Sequence, residues 1–572
     1  MPDDARTAAD LLVDCLVNEG VEYVFGIPGE ENIHFTAALD ASDIRYVLVR
    51  HEQAASFMAE MYGRLTGKAG VCSATLGPGA INLQLGTADA TTNSTPLVAI
   101  SAQVGLDRIY KESHQSVDLV SMFRPITKWA DLVHDAAAIP GMTRKAFKIA
   151  QTERPGAVYL AVPEDVEGAT APADAAPLRV NVVRPDEPSA TQVTRAVEAL
   201  ATTQRPIVLA GHGAARADAA AALTRFSDEL CLPVATTFHG KGVFSDDHPR
   251  ALGAVGFMRH DYVNFGFDAA DAIISVGYEL QEFDPERINP DGDKRIIHIH
   301  RFPAEVDEHY DVDVGLHGDI SRSLDALRQG LLDAGHRFDD AETSEKMFAE
   351  PGSGERAAVP TAQISQLLRE ELDRGRTDTG LPLKPQRVVA DTREAMGRRD
   401  IVLADTGAVK MWMARLYPTY EPNTCLISNG LSSMAFALPG AIAAKLAHPD
   451  RRVLAAVGDG AFLMHSQEIE TAVREGIPLV VLIWEDDAYG LIEWKMDMEL
   501  GHSSHVRFAN PDFVAYANSF GAMGYRVTTA DDLLPTLRRA LADDAVSVIT
   551  CPVDYSENVR LTDELGELSG PF

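Results

Sequence analysis

A chain of 572 residues with 46% hydrophobic content holds enough apolar material for three or four domains of ordinary size. Its formal charge of −33 repels phosphate backbones and anionic membranes, which argues against nucleic acid or a membrane surface as partner. No apolar run approaches the ~18 residues needed to span a bilayer. The acidic start, MPDDARTAADLLVDCL, is unlike a signal peptide, so a cytoplasmic protein is expected. The five cysteines (Cys15, Cys72, Cys231, Cys425 and Cys551) form no CxxC pair and read as free thiols of a reducing compartment.

Strand-like and helix-like segments alternate along the chain. RYVLV precedes a helical EQAASFMAEMYGRLTG, GVCSAT precedes GPGAINLQLGTADATTN, and PLVAIS follows. This is the rhythm of parallel α/β sheets. A first block, 1–175, closes with GAVYLAVPED, and the Pro- and Ala-rich APADAAPLRVNVVRPDEPSA reads as a linker. A second block, 190–330, contains RPIVLAG, PVATT, AIISVGY and RIIHIH. The polar stretch 334–360 reads as another linker or surface segment. A third block, 375–560, precedes a tail, 561–572. The expected fold class is α/β, with three doubly wound parallel-sheet domains. Ligands of such sheets sit at the carboxyl ends of strands.

Two acidic corners fall at such ends. VLAAVG runs into Gly458-Asp459-Gly460, and PLVVLIW runs into Glu485-Asp486-Asp487. The glycines permit a tight turn and close approach. A helix starting there offers N–H groups to an anion. Asp459 opposes that anion unless a divalent cation lies between them. Two carboxylates with phosphate oxygens and water suit the octahedron of Mg²⁺. Taken alone, GDG is a weak signal: Asp459 only caps a helix and Asp486-Asp487 only makes a turn.

The spacing of GDG to the second corner, with Tyr489-Gly490 after it, resembles the diphosphate motif of thiamine-diphosphate enzymes. FGIPGEEN, RHEQAASFMAEMYGRLTG and ATLGPGAINL follow the order of that family's pyrimidine-binding domain, so the resemblance covers nearly the whole chain. It names the three blocks pyrimidine-binding, central and diphosphate-binding. It implies Asp459, Asp486 and the Ala488 carbonyl as metal ligands. Gly458, Gly460, Ala461, Tyr489 and Gly490 stand around them, and Gly407 and Ala408 of DTGAVKMW sit on the second diphosphate loop. It implies Glu52 as the carboxylate on the aminopyrimidine ring and Gly77-Pro78-Gly79 as a loop beneath the cofactor. The Ser432 carbonyl becomes an acceptor for the pyrimidine amino group, and Met434 the apolar support that bends the cofactor. Without the resemblance, Glu52 merely suits a helix N-terminus and Met434 a core.

Within the family, KESHQSVDLVSMFRPITKWA resembles the acetolactate synthases, and DTGAVKMW and CPVDYSENVRLTDELGEL resemble most their catabolic, flavin-independent type. The middle stretch 276-VGYELQEFDPERIN-289 resembles the flavin-free type, so FAD is not expected. The resemblance implies pyruvate as substrate, decarboxylated and joined to a second pyruvate. It places Gln115 near the reacting carbonyl. His114 is a pocket residue or a surface histidine, and Lys128 a carboxylate-attracting or ordinary surface lysine. Lys495 stands where these synthases commonly carry Trp or Gln. A homodimer or homotetramer with sites between chains is implied. Other 2-oxoacid decarboxylases or carboligases, and a non-catalytic paralogue, remain alternatives; the last is expected to lose Glu52, Asp459 or Asp486, and all three stand.

Overall fold

A computed structural model of the chain describes residues 6–561 except 183, 257–261, 269, 339–365, 367–368 and 371–372. Most of the 334–360 stretch and nearly all of the tail therefore lie outside the described residues. Three six-stranded sheets form, and every strand pairing in them is parallel. The central strands are continuous apolar runs because helices cover both faces. LVAISAQ at Leu97–Gln103 is buried throughout, and VVLIWE at Val480–Glu485 is buried up to its last residue.

The first sheet contains β1 (Tyr23–Gly26), β2 (Arg45–Leu48), β3 (Gly70–Ala74), β4 (Leu97–Gln103), β5 (Trp129–Leu132) and β6 (Ala157–Pro163), ordered 2-1-3-4-6-5. The second contains β7 (Pro206–Ala210), β8 (Val234–Thr236), β9 (Ala251–Ala254), β10 (Ala272–Val276), β11 (Arg295–His300) and β12 (Val312–His317). Its order, 9-8-7-10-11-12, is that of the dinucleotide-binding folds. The third contains β13 (Ile401–Ala404), β14 (Cys425–Ile427), β15 (Val453–Gly458), β16 (Val480–Glu485), β17 (Met523–Arg526) and β18 (Ser547–Pro552), ordered 14-13-15-16-18-17. The first and third sheets thus share one strand order, and each reverses direction of growth between its first and third strands.

The outer sheets meet through two helices. Glu52–Thr66 is capped by His51, whose ring accepts the Gln53 N–H, and ends at Gly67 in the left-handed region (φ 69). Its residues Ala54 to Arg64 are all buried, as expected of a helix enclosed on every side. It packs on Ala437–Ala447, whose small residues let the backbones approach. Polar bonds fix the register of this contact. Arg64 Nη1 donates to the Ile427 carbonyl at 2.7 Å, and Ser428 Oγ donates to Asp89 at 2.9 Å. Among the described residues no helix is long and apolar enough to cross a membrane.

Candidate active site

In the third sheet the switch point lies between β13 and β15, and ligands of open α/β sheets bind there. β13 hands the chain to Asp405-Thr406-Gly407 and the helix Ala408–Leu416. β15 ends on Gly458, and Asp459 opens the helix Asp459–His465. β16 ends on Glu485, one residue before Asp486. A Cβ added at Gly407 (φ 135) or at Gly458 would meet no atom within 4 Å. The two glycines therefore border open space, as a diphosphate cradle needs. Asp405 is fully buried and accepts the N–H groups of Ala435 (2.8 Å) and Ala437 (2.9 Å), which ties the Ser432–Met434 loop to the same switch point. Lys410, also buried, donates to Ser432 Oγ at 3.1 Å.

The two corners converge. Asp459 Oδ2 accepts the backbone N–H groups of Asp486 (3.1 Å) and Asp487 (2.8 Å), and Oδ1 accepts that of Gly460 (2.7 Å). Burial, and then the neighbouring Asp459 charge, push the Asp486 carboxyl up to about 8. Burial also raises Asp459. Two adjacent carboxylates that resist joint ionisation are a donor set that a divalent cation relieves. Among the described residues no three His, Cys, Asp or Glu side chains close into a metal cage. The corner instead offers two carboxylates and the backbone at Ala488, leaving positions for phosphate oxygens and water, and so fits Mg²⁺. Asp487 (φ 57) reverses the chain between Asp486 and Ala488. A Cβ at Gly490 would lie 2.3 Å from Asp486 Oδ2, so a larger residue there would displace that carboxylate. The Tyr489 ring covers Gly460, and Ala461 is buried. A cleft of about 680 Å³ adjoins this corner, bordered by Asp486, Gly490, Trp494 and Tyr555.

At the switch point of the first sheet, between β1 and β3, the loops after Gly26 and Ala74 face each other. Glu52 opens the next helix, half-buried, and its Oε2 accepts from Asn82 Nδ2 at 3.0 Å. A Cβ at Gly79 would stand 3.2 Å from Glu52 Oε1. Gly77 (φ 55), followed by Pro78, packs against Gln115, whose carbonyl oxygen would be 2.9 Å from a Cβ there. The fold thus brings together Glu52, Gly77, Pro78, Gly79 and Gln115 from three separate motifs, with His114 exposed beside them. Gln115, Ser432, Ala435 and Asp487 all hold left-handed backbone (φ 56, 54, 70 and 57). Such non-glycine strain concentrates at functional sites. Met434 is half-buried on the loop between the left-handed Ser432 and Ala435.

Lys128, read from sequence as a carboxylate-attracting or an ordinary surface lysine, stands at a helix end. Its ammonium donates to the carbonyls of Ile149 (2.5 Å) and Thr152 (2.7 Å), at the end of the helix Ile139–Gln151. A cation suits that helix terminus, where two of its three N–H donors are engaged.

Asp459 begins a seven-residue helix whose far end, His465, lies 5.9 Å from the His51 ring. That helix carries the chain about 10 Å along its axis. Glu468, just beyond, accepts the Arg50 N–H at 3.0 Å. Several participants escaped the sequence reading. Asn82 and Asp405 lie inside motifs it selected, but only contacts show what they hold. Lys410 likewise lies inside DTGAVKMW, and only its bond to Ser432 shows what it holds, while Asn510 had no local signal, because its partners are distant in sequence.

Three family models match the chain. Residues 6–122 match the thiamine pyrophosphate enzyme N-terminal TPP binding domain, 193–327 its central domain, and 405–551 its C-terminal TPP binding domain. An acetolactate synthase of Bacillus subtilis (strain 168) is 34% identical, covering 98% of this chain and 96% of the relative. A catabolic acetolactate synthase of Raoultella terrigena is 35% identical over 97% of each. A probable acetolactate synthase large subunit of Methanocaldococcus jannaschii is 32% identical, covering 98% and 94%. With its three sheets in the matched domains and its acidic corner on the third switch point, the chain belongs to the thiamine pyrophosphate enzyme family.

Proposed function

We propose that this protein is an acetolactate synthase, joining the two-carbon unit of one pyruvate to a second pyruvate with release of carbon dioxide. One observation carries the reading. A half-buried carboxyl group, Glu52, and a cation-ready carboxylate pair, Asp459 and Asp486, stand at the switch points of two sheets with the same strand order. Full-length similarity to proteins named acetolactate synthase supports pyruvate as the substrate.

Thiamine diphosphate, when bound, supplies the carbon nucleophile and electron sink for decarboxylating a 2-oxo acid. The protein's own groups then have separable tasks. Asp459, Asp486 and the Ala488 carbonyl hold Mg²⁺ against the diphosphate. Gly407, Ala408 and Gly458 leave room for its oxygens. Asn82 engages Glu52 Oε2, leaving Oε1 to hold and pass the proton at the pyrimidine ring. The fixed Ser432 loop presents its carbonyl and Met434 to the same ring. Gln115 and His114, exposed on the neighbouring loop, orient the substrate oxygen. A site shared between two chains, hence a dimer or a larger assembly, is part of the reading.

A flavin-free enzyme is part of the reading. At the central switch point, between β7 and β10, Glu282 accepts the His212 N–H at 2.9 Å and the Glu279 N–H at 3.1 Å. The chain's own buried carboxylate thus takes amides that a nucleotide phosphate would need. The test is a pyruvate assay with thiamine diphosphate and Mg²⁺ but no flavin, scoring acetolactate and acetaldehyde. Acetolactate from protein without flavin absorbance is expected. Acetaldehyde alone would make it a 2-oxoacid decarboxylase.

A further inference from the structure

Asn510 lies 51 residues beyond Asp459 in sequence, yet its side-chain nitrogen reaches both acidic corners. Nδ2 donates to Asp459 Oδ2 at 2.7 Å and to Asp487 Oδ1 at 2.8 Å. Both hydrogens of one neutral amide are thereby spent on two carboxylates. Asp487 is the left-handed residue between Asp486 and Ala488. A non-glycine residue keeps that conformation only where its surroundings fix it. Here they do so at three points. The Asp487 N–H is taken by Asp459, its carbonyl accepts the Phe508 N–H at 3.1 Å, and its carboxylate is taken by Asn510. The segment leading to Asn510 also runs antiparallel to the turn, pairing Arg507 with Ala488 and joining the Tyr489 N–H to the Val506 carbonyl at 3.0 Å. Asn510 Oδ1 is itself buried without a protein donor. It is available to a water that a hydrated cation brings.

We propose that Asn510 is the positioning residue of the metal corner, holding Asp459, Asp486 and the Ala488 carbonyl in one arrangement and so setting the affinity for the divalent cation. The inference rests on the metal site described under Proposed function. Removing the amide leaves the Asp459 and Asp487 carboxylates facing each other with no side-chain donor between them. The turn that aims Ala488 then loses its side-chain anchor.

The experiment measures Mn²⁺ binding by the electron paramagnetic resonance of free Mn²⁺, with thiamine diphosphate present, on wild type, Asn510→Ala and Asn510→Leu. The leucine keeps the branching and length without a donor or a charge. Mn²⁺ affinity is expected to fall ~10–100-fold in both variants, as for other groups that orient metal ligands, with the melting curve of the cofactor-free protein retained. Wild-type affinity in either folded variant overturns the role of Asn510 and leaves the metal site standing. Collapse of the cofactor-free melt in both variants makes Asn510 a folding residue and overturns the proposal as well. A wild-type protein that binds no Mn²⁺ alongside thiamine diphosphate overturns the metal site itself, and the inference with it.

Discussion

Asn82 donates its side-chain amide to Glu52 Oε2 at 3.0 Å, joining a helix N-terminus to the end of the short helix Pro78–Asn82 after β3. The bond orients a carboxyl group that would otherwise swing freely at a half-exposed helix start. Glu52→Gln keeps the shape and removes the proton. It is expected to lower kcat by ~10²–10⁴, the range for a positioned acid or base, while thiamine diphosphate still binds. Steady-state kinetics beside a cofactor-binding titration check this. Wild-type turnover in the variant would remove Glu52 from the chemistry.

The metal corner predicts a ranked response. Asp486→Asn keeps an oxygen donor and should weaken Mg²⁺ moderately. Asp486→Ala should weaken it by more than about 100-fold, beyond the usual cost of losing a supporting group. Chelation of the wild type should release thiamine diphosphate along with the cation. A Mg²⁺ titration of activity and of cofactor retention reads all three.

Gly458 separates binding from folding. The space beside it is empty to 4 Å, and its backbone is an ordinary extended one (φ −74). A valine is therefore expected to leave the melting temperature of the cofactor-free protein within a few degrees while filling the cradle. The dissociation constant for thiamine diphosphate should rise at least about 10-fold, equivalent to ~1.4 kcal/mol. Calorimetry with and without cofactor distinguishes the two effects.

Glu468 makes the contact between the outer domains sensitive to pH. It is fully buried, and burial raises it from 4.5 to about 7. A carboxyl group raised in the folded state stabilises in its protonated form. Its contribution is full below 4.5, shrinks as the pH climbs, and is gone above about 7. The interval corresponds to a loss on the order of 3 kcal/mol. Glu468→Gln retains an acceptor for the Arg50 N–H and does not titrate. Denaturant melts from pH 4.5 to 8 should show wild type losing stability relative to the variant. Parallel curves would contradict the assignment.

Lys128 gives the opposite contrast to Glu52. Its ammonium rests on the Ile149 and Thr152 carbonyls. Lys128→Ala should cost about 1 kcal/mol of stability, the value of a cation at a helix C-terminus, with KM for pyruvate unchanged. A raised KM would return Lys128 to the substrate site.

The sequence by itself determined a good deal. Apolar runs such as LVAISAQ and VVLIWE required buried parallel strands, since no partly solvated strand carries them. Asp459 after VLAAVG and Asp486 after PLVVLIW had to fall at strand ends, because a carboxylate cannot continue such a strand into the core. Those readings are local, and local sequence contains them. What only the tertiary structure decided was which groups meet. Strand order brought Gly407, Gly458 and Asp486 to one switch point, folded Asn82 onto Glu52, carried Asn510 back to Asp459, and took Lys128 to a helix end. Hydrogen bonds act over about 3 Å in space and have no range in sequence. A partner 30 or 51 residues away therefore leaves no mark near the residue it holds.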